Sequence, residues 1–190
     1  MKNTISIDLN DTIANLTQLV NKLILKDMKL SKQDKELIEN KTIYYGLTEE
    51  QMEEYRRKAW NNYNYYKIKL INSNIPRILK KLHKYYKITI LTSTVAKDEQ
   101  IKKWFLKNKI TYNNLTHLNT QKQKAKYVSK IHIDDNCNLI HIFPKKSTLI
   151  VLSKPWNIKR LNELTSKYKN IIYMKNWKEI EDYLIKKPII

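Results

Sequence analysis

The sequence predicts a three-layer α/β domain, with a parallel central sheet covered by helices on both faces and a small helical cap inserted after the first strand. Two observations carry that prediction. Beyond Pro76, short apolar runs alternate with helical stretches, the pattern of right-handed crossovers in a parallel sheet. Between the first apolar run and Pro76 the alternation is missing, and residues 15–75 read almost wholly as helix. The corresponding division assigns residues 1–14 and 76–190 to the core and 15–75 to the cap.

In "ISIDLNDTIANL" the alternation of Ile5, Ile7 and Leu9 reads as a strand entering the core. Leu16, Leu19, Val20, Leu23 and Ile24 then recur at helical spacing, and residues 31–40 suggest a short second helix. Thr48 with Gln51 three positions on is a capping-box pattern. A long helix carrying Tyr55, Trp60, Tyr63, Tyr65 and Tyr66 is expected to follow, its aromatics packing the cap. Pro76 suits the first turn of the helix "PRILKKLHKYY". From there the order reads strand "KITILTST", helix "KDEQIKKWFLKN", short helix "QKQKAKYVSK" and strand "IHIDD". A helix near "NLIHIF", the strand "STLIVLS", the loop "KPWN", the strand "NIIYM" and the helix "NWKEIEDYLI" complete it.

Composition narrows the class. At 190 residues with 42% hydrophobic content the chain can bury one sizeable core. No apolar stretch approaches the roughly 20 residues that span a bilayer. "MKNTISIDLN" reaches an acid too early for the apolar heart of a signal peptide, and the single cysteine, Cys137, cannot form an internal disulfide. The expectation is a cytoplasmic protein. Its formal charge of +19 would draw phosphate-bearing partners. Only 4 of the 37 basic residues are arginine, and Lys, Asn, Ile and Tyr abound, as in proteins of AT-rich genomes. Dedicated nucleic-acid surfaces favour arginine, so selected polynucleotide binding is the lesser reading.

Three strand ends carry the chemistry. The first ends in Asp8, Asn10 and Thr12, the second in Thr92, Ser93 and Thr94, and "IHIDD" in Asp134 and Asp135, with Lys124 in the short helix before it. In a parallel sheet the functional crevice lies at the carboxyl ends of the strands. Carboxylates, hydroxyls and an ammonium would meet there, and hard oxygen ligands suit Mg²⁺. Thr12 reads as a cap of the next helix. His83, His117, His132 and His141 lack ligand spacing and read as ordinary residues.

The motifs "IDLNDT", "ILTST", Lys124 ten positions before Asp134, "IHIDDN" and "IVLSKPWN" resemble those of the haloacid dehalogenase superfamily, most of all its 5'(3')-deoxyribonucleotidases. That resemblance implies a Rossmann-like core and a Mg²⁺-dependent phosphatase of nucleoside monophosphates. Asp8 would be the nucleophile that becomes a phospho-aspartate. Thr92 and Ser93 would hydrogen-bond the phosphate, and Lys124 would hold it and restrain the nucleophile. Asp8, the Asn10 carbonyl and Asp135 would hold Mg²⁺, with Asp134 positioning that site.

In the resembled phosphatases an aspartate stands where this chain has Asn10, and its side chain serves as general acid and base. An amide can lend its backbone carbonyl to a metal but cannot shuttle a proton near neutral pH. Three readings therefore stand: a nucleotidase slowed by Asn10, a nucleotide- or phosphate-binding module without catalysis, and a phosphatase of polynucleotide ends.

Overall fold

The computed structural model describes residues 2–28 and 47–186. Six parallel strands, numbered in chain order, form one sheet: β1 Asn3–Ile7, β2 Tyr86–Thr92, β3 Asn114–His117, β4 Ile131–Asp134, β5 Thr148–Leu152 and β6 Ile171–Met174. Their spatial order is β3-β2-β1-β4-β5-β6. Seven α-helices lie among the described residues: α1 Leu16–Met28, α2 Glu49–Trp60, α3 Ile75–Leu82, α4 Asp98–Lys107, α5 Lys124–Tyr127, α6 Ile158–Lys167 and α7 Trp177–Lys186. The three-layer parallel α/β expectation holds. No helix among them is long and apolar enough to cross a membrane.

Strand periodicity sorts the core. Successive side chains on a strand face opposite sides of the sheet. On β5, Leu149 and Val151 join a cluster with Phe143, Leu161 and Leu164, while Ile150 and Leu152 join the larger cluster with Ile133 and Trp177. Both faces are therefore dry, as a parallel sheet requires. The larger cluster runs without a break from β1 into α1 and α2 through Leu19, Ile24, Met52 and Trp60.

Local signals behave as expected at several ends. Thr48 Oγ1 accepts from Gln51 N–H at 3.2 Å and Gln51 Oε1 accepts from Thr48 N–H at 2.8 Å, closing the capping box of α2. Pro76 sits in the first turn of α3. Tyr55 and Trp60 are buried, and Trp60 meets Trp104 edge-on at 6.2 Å. Tyr63 and Tyr66 are exposed instead, so cap packing does not extend to them.

Other details differ from the sequence reading. β3 is an edge strand of four residues with no buried position, too short and too polar to show a strand period. The "IHIDD" strand is thus the fourth in chain order. Between "KPWN" and "NIIYM" the chain forms α6, whose buried face is only Leu161 and Leu164. "QKQKAKYVSK" condenses into a 3₁₀ turn, Gln121–Gln123, leading into α5, and the helix near "NLIHIF" is the 3₁₀ turn Cys137–His141. The expected helix at 31–40 lies outside the described residues.

One buried ion pair ties α3 to α7. Glu181 is 2% exposed and takes Arg77 at 3.0 Å and Lys81 at 3.1 Å. Burial works against its charge, but the Arg77 and Lys81 hydrogen bonds hold its carboxyl below the usual range. A depressed carboxyl stabilises the fold above its unfolded pKa and loses that contribution as pH falls through the folded one. Glu181→Gln is expected to cost on the order of 1 kcal/mol at neutral pH. In thermal unfolding followed down through pH 4.5, the ordinary value for this carboxyl, the two melting curves should converge.

Candidate active site

The site begins where β1 ends. Ile13 N–H and Ala14 N–H both donate to Leu9 O, at 2.9 and 2.8 Å, and Asp11 N–H donates to Ala14 O at 2.6 Å. This tight loop puts Asp11 at φ 56°, a left-handed conformation that Asp tolerates better than most residues. The Asp11 carboxylate then accepts from Thr17 N–H at 2.9 Å and Thr17 Oγ1 at 2.6 Å, so it, rather than Thr12, serves the first turn of α1. Thr12 instead offers its carbonyl to Trp177 Nε1 at 2.8 Å, and its hydroxyl is buried without a partner among the described residues. The loop is thereby fastened from α7.

Asp8 lies at the centre of the sheet, because β1 is flanked by β2 and β4. Lys124 Nζ donates to Asp8 Oδ1 at 2.6 Å and to Asp134 Oδ2 at 2.8 Å, and all three side chains are buried. Ligand oxygens of Asp8, Asp134 and Asp135 lie within 4.8 Å of one another. Asp134 is fully engaged: its Oδ1 accepts from Asn136 N–H at 2.8 Å, and its Oδ2 also meets His132 Nε2 at 3.0 Å. Of the acidic pair, Asp135 is the one that lines the cavity.

His132 is a partner that sequence reasoning passed over. A carboxylate can only accept, so His132 Nε2 carries the proton and Nδ1, 2.9 Å from Ser6 Oγ, accepts from that hydroxyl. The available signal was strand alternation, which places residues 132 and 134 on one face of β4. Burial lowers the His132 pKa against the pull of Asp134, which keeps the ring neutral. His117 plays a fastening role at β3: its ring nitrogens lie 2.7 Å from Asp98 Oδ1 and 2.6 Å from Thr94 O. That contact pins the loop bearing Ser93 and Thr94.

Electrostatics follow from burial. Burial pushes the Asp8 carboxyl up to about 7 despite Lys124. For Asp134, burial is outweighed by Lys124 and His132, and the carboxyl falls well below its usual range. The Lys124 ammonium, opposed by burial but facing Asp134 and Asp8, is held above its ordinary value.

Above this cluster lies a cavity of about 500 Å³ lined by Asp8, Asn10, Thr92, Ser93 and Asp135. Lys124 and Asp134 do not line it but are tied to Asp8, since Lys124 bonds both carboxylates. All seven residues singled out from the sequence are thus gathered in one place. The opposite wall comes from α1 (Thr17, Asn21) and α2 (Glu49, Glu53, Arg56), none of which the sequence marked. Arg56 bonds Glu49 and Glu53 at 2.7 and 3.1 Å. Its signal was the rarity of arginine in a lysine-rich chain.

The donor set fits a hard divalent cation and a phosphate. Three carboxylates face one ammonium, which leaves the cluster net negative, and its oxygens are of the kind Mg²⁺ prefers. Asn10 Oδ1 and Thr92 Oγ1, both on the cavity wall, are buried without a hydrogen-bond partner among the described residues. Buried polar atoms are normally satisfied, so these two could take up hydrogen bonds or coordination from a bound group.

No family model matches the chain, and no curated protein matches it. Solved structures do. A haloacid dehalogenase-like hydrolase from Streptococcus pneumoniae superposes with a TM-score of 0.64 at 13% identity, covering 96% of this chain and 98% of that one. A "predicted phosphatase" from Clostridium acetobutylicum gives 0.64 at 14% identity, covering 98% and 99%. A HAD-hydrolase from Bacillus subtilis, solved bound to magnesium, gives 0.50 at 12% identity, covering 80% and 86%. The protein has the haloacid dehalogenase fold, as its motifs implied.

Proposed function

We propose that this chain is a Mg²⁺-dependent phosphomonoesterase that works through a phospho-aspartate on Asp8, takes nucleoside monophosphates, and is slowed by the amide at Asn10. The observation that carries the reading is Lys124 bridging Asp8 and Asp134 beside a cavity walled by Thr92, Ser93 and Asp135. An anionic nucleophile cannot approach an anionic phosphate without cationic charge between them. Asp8, Asp135 and the Asn10 carbonyl would hold Mg²⁺, which when bound neutralises charge between nucleophile and phosphate. The nucleoside identity rests on the sequence resemblance, and the magnesium bound by the B. subtilis protein of the same fold is in keeping with the cation.

In the proposed reaction an Asp8 carboxylate oxygen forms a bond to phosphorus. The ester P–O bond breaks with its electron pair going to the leaving alcohol oxygen, and water then releases phosphate from Asp8. Lys124 restrains the Asp8 carboxylate through Oδ1, and Asp134 with His132 fixes Lys124. Thr92 Oγ1 and Ser93 donate to phosphate oxygens. In this reading residues 15–75 act as the cap over the core of 1–14 and 76–190, since α1 and α2 wall the cavity mouth. A second reading, a nucleotide-binding module without turnover, is favoured by Asn10 alone.

The test pairs calorimetry with phosphate release. Mg²⁺ binding is expected to be lost in Asp8→Ala and in Asp135→Ala, and phosphate release from thymidine monophosphate is expected to require both Mg²⁺ and Asp8. Unchanged Mg²⁺ affinity in both variants, or undiminished release by Asp8→Ala, would overturn the reading.

A further inference from the structure

The "KPWN" segment has a place in the site that the proposed chemistry leaves unused. Asn157 fastens it: its Nδ2 donates to Asp135 O at 2.8 Å and to Leu152 O at 3.1 Å, while its Oδ1 accepts from Lys154 N–H at 2.8 Å. Asn157 is buried, so the turn is anchored to the backbone of the acidic strand end itself. Trp156, one residue earlier, is carried on that anchored turn and is half-buried.

Its ring borders a second cavity of about 250 Å³ that runs along α1. Thr17 and Asn21 line both this cavity and the one over Asp8, so the two adjoin. Besides Trp156 the lining is mixed, with Gln18, Asn21 and Lys22 polar and Leu25 apolar. The exposed Gln18 amide offers a donor and an acceptor. An indole and an amide edge lining one cavity suit a planar, hydrogen-bonding ring, since aromatic side chains stack on nucleobases irrespective of sequence. A ring there would be joined through its sugar to a phosphate lying over Asp8.

We infer that Trp156 and the α1 face bearing Gln18 and Asn21 form the subsite for the base of the leaving nucleoside, with Trp156 as the stacking and specificity-determining residue. This rests on the nucleotide phosphatase reading above and names the residues that select its substrate.

The full chain, Trp156→Ala and Trp156→Phe serve as the three proteins in equilibrium calorimetry with Mg²⁺ present. The ligands are adenosine and thymidine monophosphates against ribose phosphate, which keeps sugar and phosphate but lacks the ring. Trp156→Ala is expected to weaken nucleotide binding by about tenfold to a hundredfold, the loss that follows removal of one stacking side chain, and to leave ribose phosphate binding unchanged. Trp156→Phe should restore most of the nucleotide affinity. Equal losses for both ligands would assign Trp156 a structural role and overturn the inference. So would unaltered nucleotide binding in Trp156→Ala, or a parent that binds nucleotide no more tightly than ribose phosphate. Because binding needs no turnover, absence of hydrolysis by the parent would count against the phosphatase reading and leave this comparison decisive.

Discussion

Asn10→Asp is expected to raise the turnover of nucleoside monophosphates by about one to four decades, the range a positioned general acid and base supplies. The exchange is isosteric, and the residue already lines the cavity over Asp8 with its Oδ1 buried and unpartnered among the described residues. The neighbouring acid cannot take over, because the Asp11 carboxylate is bound by the backbone and hydroxyl of Thr17. An alkoxide leaving group needs a proton as the ester bond breaks, whereas a nitrophenolate does not. Nitrophenyl phosphate should therefore gain much less from the exchange than nucleotides. The gain should appear in kcat with KM little changed, since the proton transfer belongs to the transition state. A fourth carboxylate near Asp8, Asp134 and Asp135 also adds repulsion, so the variant's melting temperature should respond more strongly to Mg²⁺ than the parent's. Unchanged nucleotide turnover would move the acid role to Glu49 or Glu53 on the far wall, or reduce the protein to a phosphate binder.

Lys124→Met is expected to be the most damaging single change to the metal-free protein. Lys124 has no exposed surface and is the ammonium between two buried carboxylates. Removing one partner of a buried ion pair typically costs about 3–5 kcal/mol, because the charge left behind is uncompensated. Methionine is similar in length, which keeps the packing loss small. The pH dependence follows from the carboxyls. Without the ammonium, the Asp8 and Asp134 pKa values rise in the folded state. A carboxyl whose folded pKa exceeds its unfolded value destabilises the fold progressively as pH rises between the two. Urea unfolding should show the deficit growing from acid towards neutral pH, and Mg²⁺ should recover part of it by supplying positive charge at Asp8. Phosphate release should fall by at least the ~10²–10³ that loss of one preorganised charge-stabilising group costs. A variant as stable and as active as the parent at neutral pH would show that Lys124 neither neutralises the pair nor restrains the nucleophile.

Asp8 itself carries part of this tension in the parent. Its carboxyl is pushed up to about 7 by burial, so the metal-free fold loses stability as pH rises towards that value. Burying a carboxylate at the centre of the sheet thus opposes stability, and Lys124 is the group that limits the opposition.

The strand ends could be read from residue order because parallel sheets present them all on one edge. The alternation of Ile5, Ile7 and Leu9, the apolar runs ending in Thr92 and Asp134, and the helical phasing of Leu16 to Ile24 are local signals that no distant contact overrides. Chemistry at strand ends is therefore visible in one dimension, and Asp8, Thr92, Lys124 and Asp135 could be placed together before any coordinates. Thr12 was misread because a hydroxyl after a strand resembles a helix cap, while the loop closed by Leu9 O gives that task to Asp11. β3 and α6 were missed because four half-exposed residues and two buried leucines carry too little periodicity.

The sequence by itself determined the parallel α/β class, the ordered strand-end residues and the amide at position 10, since each is written in adjacent residues. Only the tertiary structure decided that Asp134 is saturated by Lys124, His132 and Asn136 while Asp135 faces the cavity, that Arg56 and Asn21 wall it, and that Trp156 is pinned beside it by Asn157. Those relations join residues 8 with 124, 21 with 156 and 135 with 157. Side-chain direction and hydrogen-bond partnership across such separations are set by how helices and strands pack, and neither composition nor spacing encodes them.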